Sequence, residues 1–408
     1  MSDIYGKRRA RLMERFPEGI LLVQAGANGR PNRNFTYLTG LTTGAGALVL
    51  APGGVRACTG RNYPGPDYLR GRIVHQVLLL PPADPMLSRW GEDSAVTAGA
   101  MRPEESGVDL ILQVGAMDEL LSPALDHGAT LNYVRAAAAG LSGGPDEDSL
   151  FLDRVRQRFF DVRLVNATPE LEEMRRLKEP DEIEKTRKAI AVTDEALRRV
   201  YGMARPGMFE YELEAEITGH YRSHGGTHAF EPIVATGRNA CSLHYTENRG
   251  KIAAGDLVLL DTGVCLDGYN SDITRTFPVD GRFTSRQREI YEVVLAALEA
   301  ATAMAAPGAD LGAIHACAWD VIHKAGFSRY FIHGTSHFIG MDTHDVGDRY
   351  VPLEPGALFT VEPGIYIPEE GIGIRLEDEV LVTAAGHEVL SAALPRKAEE
   401  IEEILAGR

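Results

Sequence analysis

Two kinds of hydrophobic patterning divide this chain near residue 166. Ahead of that point, short continuous apolar runs recur between Gly and Pro punctuation: GILLVQ from Gly19, GALVLAP from Gly46 and IVHQVLLLPP from Ile73. These predict strands of a separate α/β domain over residues 1–168. NATPELEEMRRLKEPDE, residues 166–182, reads as a charged connector. A long helix is predicted from Asp181, because Ile183, Ala189 or Ile190, Thr193, Leu197 and Val200 recur at helical spacing. A second domain, residues 169–408, follows.

Within that second domain the pattern repeats. Pro206-Gly207 recurs as Pro307-Gly308, Gly255 as Gly356, Asp261 as Glu362 and Gly263 as Gly364, all 101 residues apart, and His244 recurs as His344 after 100. Each half reads as two helices followed by strands. Thr284 with Gln287 forms a capping-box pattern, Asp310 suits a helix cap, and Gly326 suits the stop of that helix. The repeat predicts two α/β halves related by a pseudo-twofold, with a site between them.

Asp261 ends the apolar run DLVLLD, and Asp267-Gly268 is a strong two-residue hairpin signal. With those two residues in the turn, Leu266 faces Tyr269 and Asp261 faces Thr274. Asp272 is then the diagonal neighbour of Asp261 on the same face, at about 7–8 Å. Glu362 precedes Pro363-Gly364, which biases it toward extended backbone at a strand end. Arg375 and Glu377 alternate with Ile372, Ile374 and Leu376, so period two puts both on one face, with Arg375 placed to hold Glu377 ionised. His333, His337 and His344 lie in FIHGTSHFIGMDTHDVG, where Gly334 and Gly340 argue for a shaped loop. The three histidines invite a three-histidine zinc site as an alternative.

Four carboxylates, Asp261, Asp272, Glu362 and Glu377, match the charge of two divalent cations. Together with His337 they make an oxygen-rich ligand set that favours Mn2+, with Co2+, Fe2+ or Zn2+ also admissible. The order Asp, Asp, His, Glu, Glu in the contexts LLDTG, NSDITRT, HGTSHF, TVEPG and IRLEDE resembles the pita-bread metallopeptidases, and within them aminopeptidase P (Xaa-Pro aminopeptidase). NRNFTYLTGL resembles the creatinase-like N-terminal domain of that family, and MRRLKEPDEIEKTRKAI the entry to its catalytic domain. The resemblance implies an α/β creatinase-like domain followed by an α+β pita-bread domain. It implies that Asp261, Asp272, His337, Glu362 and Glu377 bind two metals, with Asp272 and Glu377 bridging. His244, in SLHYTEN, His333 and His344 match substrate-contacting positions, with Arg375 beside them, and Glu362 matches the proton shuttle. The implied reaction is hydrolysis of the N-terminal Xaa-Pro bond by a water acidified at the metal pair, with His344 at the oxyanion.

Other readings are weaker. Prolidase carries the same ligands, but the tail ALPRKAEEIEEIL and the 15-residue interval from Glu362 to Glu377 look more like aminopeptidase P. Methionine aminopeptidases share the ligand order but lack a large N-terminal domain. Creatinase and the non-catalytic peptide-binding relatives are disfavoured by retention of all five ligands. GAGALV lacks the third glycine of a dinucleotide loop and precedes a strand. Ser336 has no nucleophile elbow around it.

Composition then narrows the partners. Across 408 residues, 42 Lys and Arg against 58 Asp and Glu give a net charge of −16, which argues against nucleic acid and anionic membranes. The opening MSDIYGKRRARLMERF has no apolar core of a signal peptide. Cys58, Cys241, Cys265 and Cys317 are scattered without a CxxC pair and read as small buried residues of a reducing compartment. The expectation is a cytoplasmic enzyme acting on peptides with proline second, assembled as a homodimer or homotetramer through its N-terminal domain. Trp90-Gly91 is a partial match to a Trp-x-Gly segment that shapes a neighbouring subunit's site in the family.

Overall fold

The structure, a computed structural model, describes residues 4–27, 30–56, 71–83, 96–99, 101–136 and 146–407. Trp90 and Cys58 lie outside the described residues. The chain forms two compact units, Met1–Arg175 and Arg176–Arg408.

The first unit is built on a six-stranded mixed sheet. Its order is Leu110–Gln113, Ile73–Leu80, Ala47–Arg56, Ile20–Gln24, Thr130–Val134, Arg163–Asn166. The three apolar runs are its central strands. Leu21, Leu22, Val23, Leu48, Val49 and Leu50 are fully buried, which explains why these strands read as continuous rather than alternating. Asn32 caps the helix Arg33–Thr39 by accepting from the Asn34 N–H, and Gly40, at φ 74°, ends it.

The stretch expected as a connector is instead partly helical, over Thr168–Arg176. Leu171 and Met174 are buried. The Met174 carbonyl accepts from the Tyr37 hydroxyl at 3.1 Å, and Arg175 donates to Asn34 Oδ1 at 2.8 Å. The charge of this segment masks an amphipathic helix that packs on the first unit.

The second unit contains the repeated halves. The helices Pro180–Met203 and Glu210–Ser223 precede a sheet of Ile233–Thr236, Leu257–Thr262 and Ile273–Pro278. The helices Ser285–Ala303 and Leu311–Lys324 precede a sheet of Leu358–Val361, Asp378–Thr383 and Gly386–Val389, and a hairpin of Gly364–Ile367 with Ile372–Arg375. The first helix buries Ala189, Ile190, Thr193, Leu197 and Val200. Thr284 and Gln287 form the capping box, Asp310 accepts from the Ala313 N–H, and Gly326 takes φ 84°.

The duplication extends to individual hydrogen bonds. Gly207 N–H donates to the Ile252 carbonyl and Ile252 N–H to Met208, both at 2.8 Å. Gly308 N–H donates to Leu353 at 2.9 Å and Leu353 N–H to Ala309 at 2.7 Å. Every partner is shifted by 101 residues. Gly207 and Gly308 share φ near 94° and 91°, and Gly255 and Gly356 share 87° and 98°, a region that favours glycine.

The hairpin register is the predicted one. Asp261 faces Thr274 and Leu266 faces Tyr269, with Asp267 at φ 50° and Gly268 at φ 79° in the turn. Between the two stretches of ladder, Gly263 passes so close to the other strand that an added Cβ would sit 1.8 Å from the Ser271 carbonyl oxygen. The two nearest atoms are both Ser271 backbone, so the clash has no cheap relief. Gly263→Ala is expected to lose about 1–3 kcal/mol of stability and, by shifting the strand that carries Asp272, to weaken divalent metal binding. Denaturant melts and metal content check this together; an unchanged midpoint would show that the strands have slack.

Candidate active site

Four strand ends and one loop bring the predicted residues together. Asp261 lies in Leu257–Thr262, and Asp272 immediately precedes Ile273–Pro278. Glu362 follows Leu358–Val361, and Glu377 lies between Ile372–Arg375 and Asp378–Thr383. His337 is in the loop, held by its backbone: its carbonyl accepts from the Thr360 N–H at 2.9 Å, and its N–H donates to Thr360 Oγ1 at 3.2 Å. All five line one cavity of about 740 Å³, together with His244, His333, His344 and Arg375.

The ligand atoms converge. One donor atom each from Asp272, His337 and Glu377 lies within 4.8 Å of the others. His337 Nε2 is 3.4 Å from Asp272 Oδ2 and 3.6 Å from Glu362 Oε1. Its Nδ1 is 3.1 Å from the Phe338 carbonyl, which only accepts. Nδ1 therefore carries a proton, and Nε2 is the nitrogen left to face the carboxylates. Asp261 Oδ1 is buried with no hydrogen-bond partner. Carboxylate oxygens and an imidazole nitrogen crowded together, one oxygen buried without a partner, are what a cation site requires, so the residues present fit divalent metal.

Electrostatics agree with that fit. Burial first, then neighbouring carboxylates, pushes Asp272 and Glu377 well above the usual carboxylate range. Burial pushes Glu362 up to about 7, against the pull of His337 and Arg375. His333 is lowered to about 4 by burial, with Arg375 adding. His344 is lowered by burial, then by His337 and His244, and its ring centroid is 4.1 Å from that of His337.

Arg375 does not meet its expected partner. The period-two alternation breaks after Arg375, where the strand ends, and Glu377 N–H donates instead to the Thr274 carbonyl at 3.1 Å. Arg375 Nη2 pairs with Asp261 Oδ2 at 2.5 Å, Nη1 donates to the Tyr366 hydroxyl at 2.8 Å, and Nε donates to Thr274 Oγ1 at 3.2 Å. Its donor groups are thus engaged within the protein. Thr274 Oγ1 donates in turn to Glu377 Oε2 at 2.7 Å, so one hydroxyl links Arg375 to Glu377.

Four residues that sequence reasoning missed complete the surroundings. Thr274 stands directly across from Asp261, a signal the register already held. Tyr366 donates to His333 Nε2 at 2.8 Å, while His333 Nδ1 donates to the Gly334 carbonyl at 2.7 Å. Both nitrogens of His333 therefore have partners, which makes it a fixed wall rather than a proton carrier. Glu379 Oε1 accepts from the Asp272 N–H at 2.9 Å. Arg349 lines the cavity from an exposed position.

Comparison with known proteins places this site. Residues 184–384 match metallopeptidase family M24. The Xaa-Pro aminopeptidase of Escherichia coli (strain K12) is 34% identical, over 93% of this chain and 89% of its own. The chain belongs to metallopeptidase family M24. The Xaa-Pro aminopeptidase of Haemophilus influenzae is 31% identical over 99% of this chain and 97% of its own. The solved aminopeptidase PepP of Pseudomonas aeruginosa superposes with a TM-score of 0.85 at 32% identity, covering 99% of this chain and 97% of that one. The second unit is accordingly the pita-bread fold of the M24 enzymes, and the family carries divalent metal.

The crowded carboxylates give a pH test. A raised folded pKa contributes stability that is full below the unfolded value, about 4, and lost as pH rises through the folded value, about 7 for Glu362. In chelator, Tm is expected to fall from about pH 6 to about pH 8, and saturating Mn2+ is expected to abolish the fall because cations bind the deprotonated set. A Tm that climbs with pH in chelator would contradict the crowding.

Proposed function

We propose that this M24 protein is a dinuclear-metal Xaa-Pro aminopeptidase. The observation that carries the reading is the convergence of Asp261, Asp272, His337, Glu362 and Glu377 on one cavity, in a chain 34% identical to an Xaa-Pro aminopeptidase. These five residues would hold two divalent cations, with Asp272 and Glu377 shared. The oxygen-rich set favours Mn2+, with Co2+, Fe2+ or Zn2+ as substitutes. When bound, the pair supplies Lewis acidity and a water ionisable near neutral pH.

The chain's own residues do the rest. Glu362, poised near 7, takes a proton from the attacking water and returns it to the proline nitrogen as the C–N bond breaks. His344, kept neutral below its ordinary pKa, donates to the developing oxyanion. His244 and His333 hold the proline residue, and Phe230, Ile233 and Leu243 give the cavity an apolar wall suited to its ring. Arg375 acts through Tyr366 to fix His333. It also fixes the Asp261 carboxylate through the Nη2–Oδ2 pair, which is a positioning role.

Proline on the leaving side lacks an amide hydrogen, so a dedicated site is needed. We take the enzyme as cytoplasmic and as a homodimer or homotetramer assembled through the first unit. Cys241, Cys265 and Cys317 are half-buried rather than fully buried. Among the described residues no helix is long and apolar enough to cross a membrane.

Two experiments test the reading. Glu377→Ala or Asp272→Ala should lose both metal and turnover. His337→Ala should lose metal affinity and activity, whereas His344→Ala should keep its metal and lose roughly 10²–10³ in rate. Metal analysis alongside kinetics checks this, and a metal-free His344→Ala beside a loaded His337→Ala would reverse the two roles.

The second concerns peptide length. A dipeptidase must close the far side of the proline with a cation that reads its carboxylate. No basic residue intervenes between Glu362 and Arg375, and Arg349 is a solvated cation that holds a carboxylate weakly. Xaa-Pro tripeptides and longer chains should lose their first residue at rates at least comparable to Xaa-Pro dipeptides, followed by mass spectrometry. Cleavage of dipeptides alone would leave prolidase.

A further inference from the structure

A second set of metal-type donors lies away from the cavity, on the helix pair that opens the second unit. Glu195 projects from Pro180–Met203, His220 from Glu210–Ser223, and His224 caps the end of that second helix. Glu195 Oε2 is 3.2 Å from His220 Nε2 and 3.6 Å from His224 Nε2, and the two imidazole centroids are 4.4 Å apart. None of the three lines the catalytic cavity.

The tautomers decide what this cluster is. His224 Nδ1 lies 3.0 Å from the His220 carbonyl, which only accepts, and 3.2 Å from Ser223 Oγ. Nδ1 is thus tied to its own helix, and Nε2 is the nitrogen that faces the Glu195 carboxylate. The His220 side chain is 8% exposed, and its Nε2 is directed at Glu195 Oε2. Burial and the adjacent His224 lower the pKa of His220, against protonation. Arg199 is the neighbouring cation, and its guanidinium is engaged by Glu216.

We propose that Glu195, His220 and His224 form a divalent transition-metal site that takes Zn2+. Two imidazoles four residues apart share one face of a helix. With one carboxylate they make a His2Glu donor set typical of zinc and poor for Ca2+ or Mg2+. The metal pins one helix to the other. Thr193 and Tyr221 on those helices hydrogen-bond to Ser271 and Thr262, at 2.8 and 3.0 Å, on the hairpin that carries Asp272 and Asp261. The site braces the support of the active centre without touching substrate.

The test is a zinc count on full-length, metal-depleted protein by calorimetric titration and metal analysis. Wild type should bind one more equivalent of Zn2+ than His220→Ala with His224→Ala, and Glu195→Gln should lose the same equivalent or weaken it at least tenfold. Added Zn2+ should raise the Tm of wild type more than that of the variants, whose peptidase activity with Mn2+ should stay near wild type. The count is a difference between proteins that share the catalytic cluster, so it stands whatever the substrate proves to be. Equal zinc equivalents in wild type, the double variant and Glu195→Gln overturn the site.

Discussion

Like charge concentrated inside the second unit is the constraint on which the rest of the structure turns. Four carboxylates face one cavity, and Asp272 and Glu377 are 5% and 2% exposed. Without cations, burial and mutual repulsion hold three of the four above the usual carboxylate range. The buried guanidinium in direct contact is that of Arg375, and it reaches Asp261 alone of the four. One fixed positive charge cannot balance four negative ones. The deficit is what selects for divalent metal, and it makes metal a structural as well as a chemical partner. Just outside, Arg275 and Arg396 both pair with Asp378, and burial there is outweighed: Asp378 stays below the usual range. The contrast between adjacent residues Glu377 and Asp378 shows that the shortage of countercharge is local to the cavity.

The duplication explains how a chain gathers such a cluster without a long, irregular loop. Each half delivers an acid at a strand end, Asp261 in Leu257–Thr262 and Glu362 just after Leu358–Val361, 101 residues apart. Each half adds a second acid next to a returning strand, Asp272 and Glu377. Thr274 joins the halves: its carbonyl accepts from the Glu377 N–H and its hydroxyl donates to Glu377 Oε2. A carboxylate from one half is therefore oriented by the backbone of the other. Arg275 reinforces the same seam by donating to the carbonyls of Thr274 and Glu377 at 3.0 and 2.5 Å.

Much of this was legible in the sequence because it depends on local rules. Asp267-Gly268 specifies a turn, the turn specifies the register, and the register places Asp261 across from Thr274. The 101-residue repeat is readable because its glycines need positive φ and its acids need the same strand position. What was not legible depends on contacts between distant segments. Period two placed Arg375 with Glu377, but the strand ends at Arg375, and the guanidinium turns to Asp261, 114 positions away in the chain. Tyr366 reads as one more alternating residue of GIYIP, and only the folded hairpin puts its hydroxyl between Arg375 and His333. The stretch 166–182 reads as a connector because its charge outweighs the apolar pair Leu171 and Met174, which the helix Thr168–Arg176 buries.

The histidines show why residue type alone under-determines role. His333, His337 and His344 occupy one loop, yet hydrogen bonding separates them. His333 has both nitrogens occupied, so it can set shape but not move a proton. His337 has its Nδ1 tied to Phe338 and its Nε2 bare before two carboxylates, the state of a ligand. His344 lies tilted against His337 and opens onto the cavity, its pKa lowered by burial and by the two neighbouring imidazoles. A neutral imidazole can donate one hydrogen bond without bringing charge. Proton movement then falls to Glu362, pushed by burial up to about 7, where a group can both accept and return a proton at neutral pH. The division of labour follows from what each side chain's second atom touches. The same rule, applied to His220 and His224, separates an idle surface pair from a metal site.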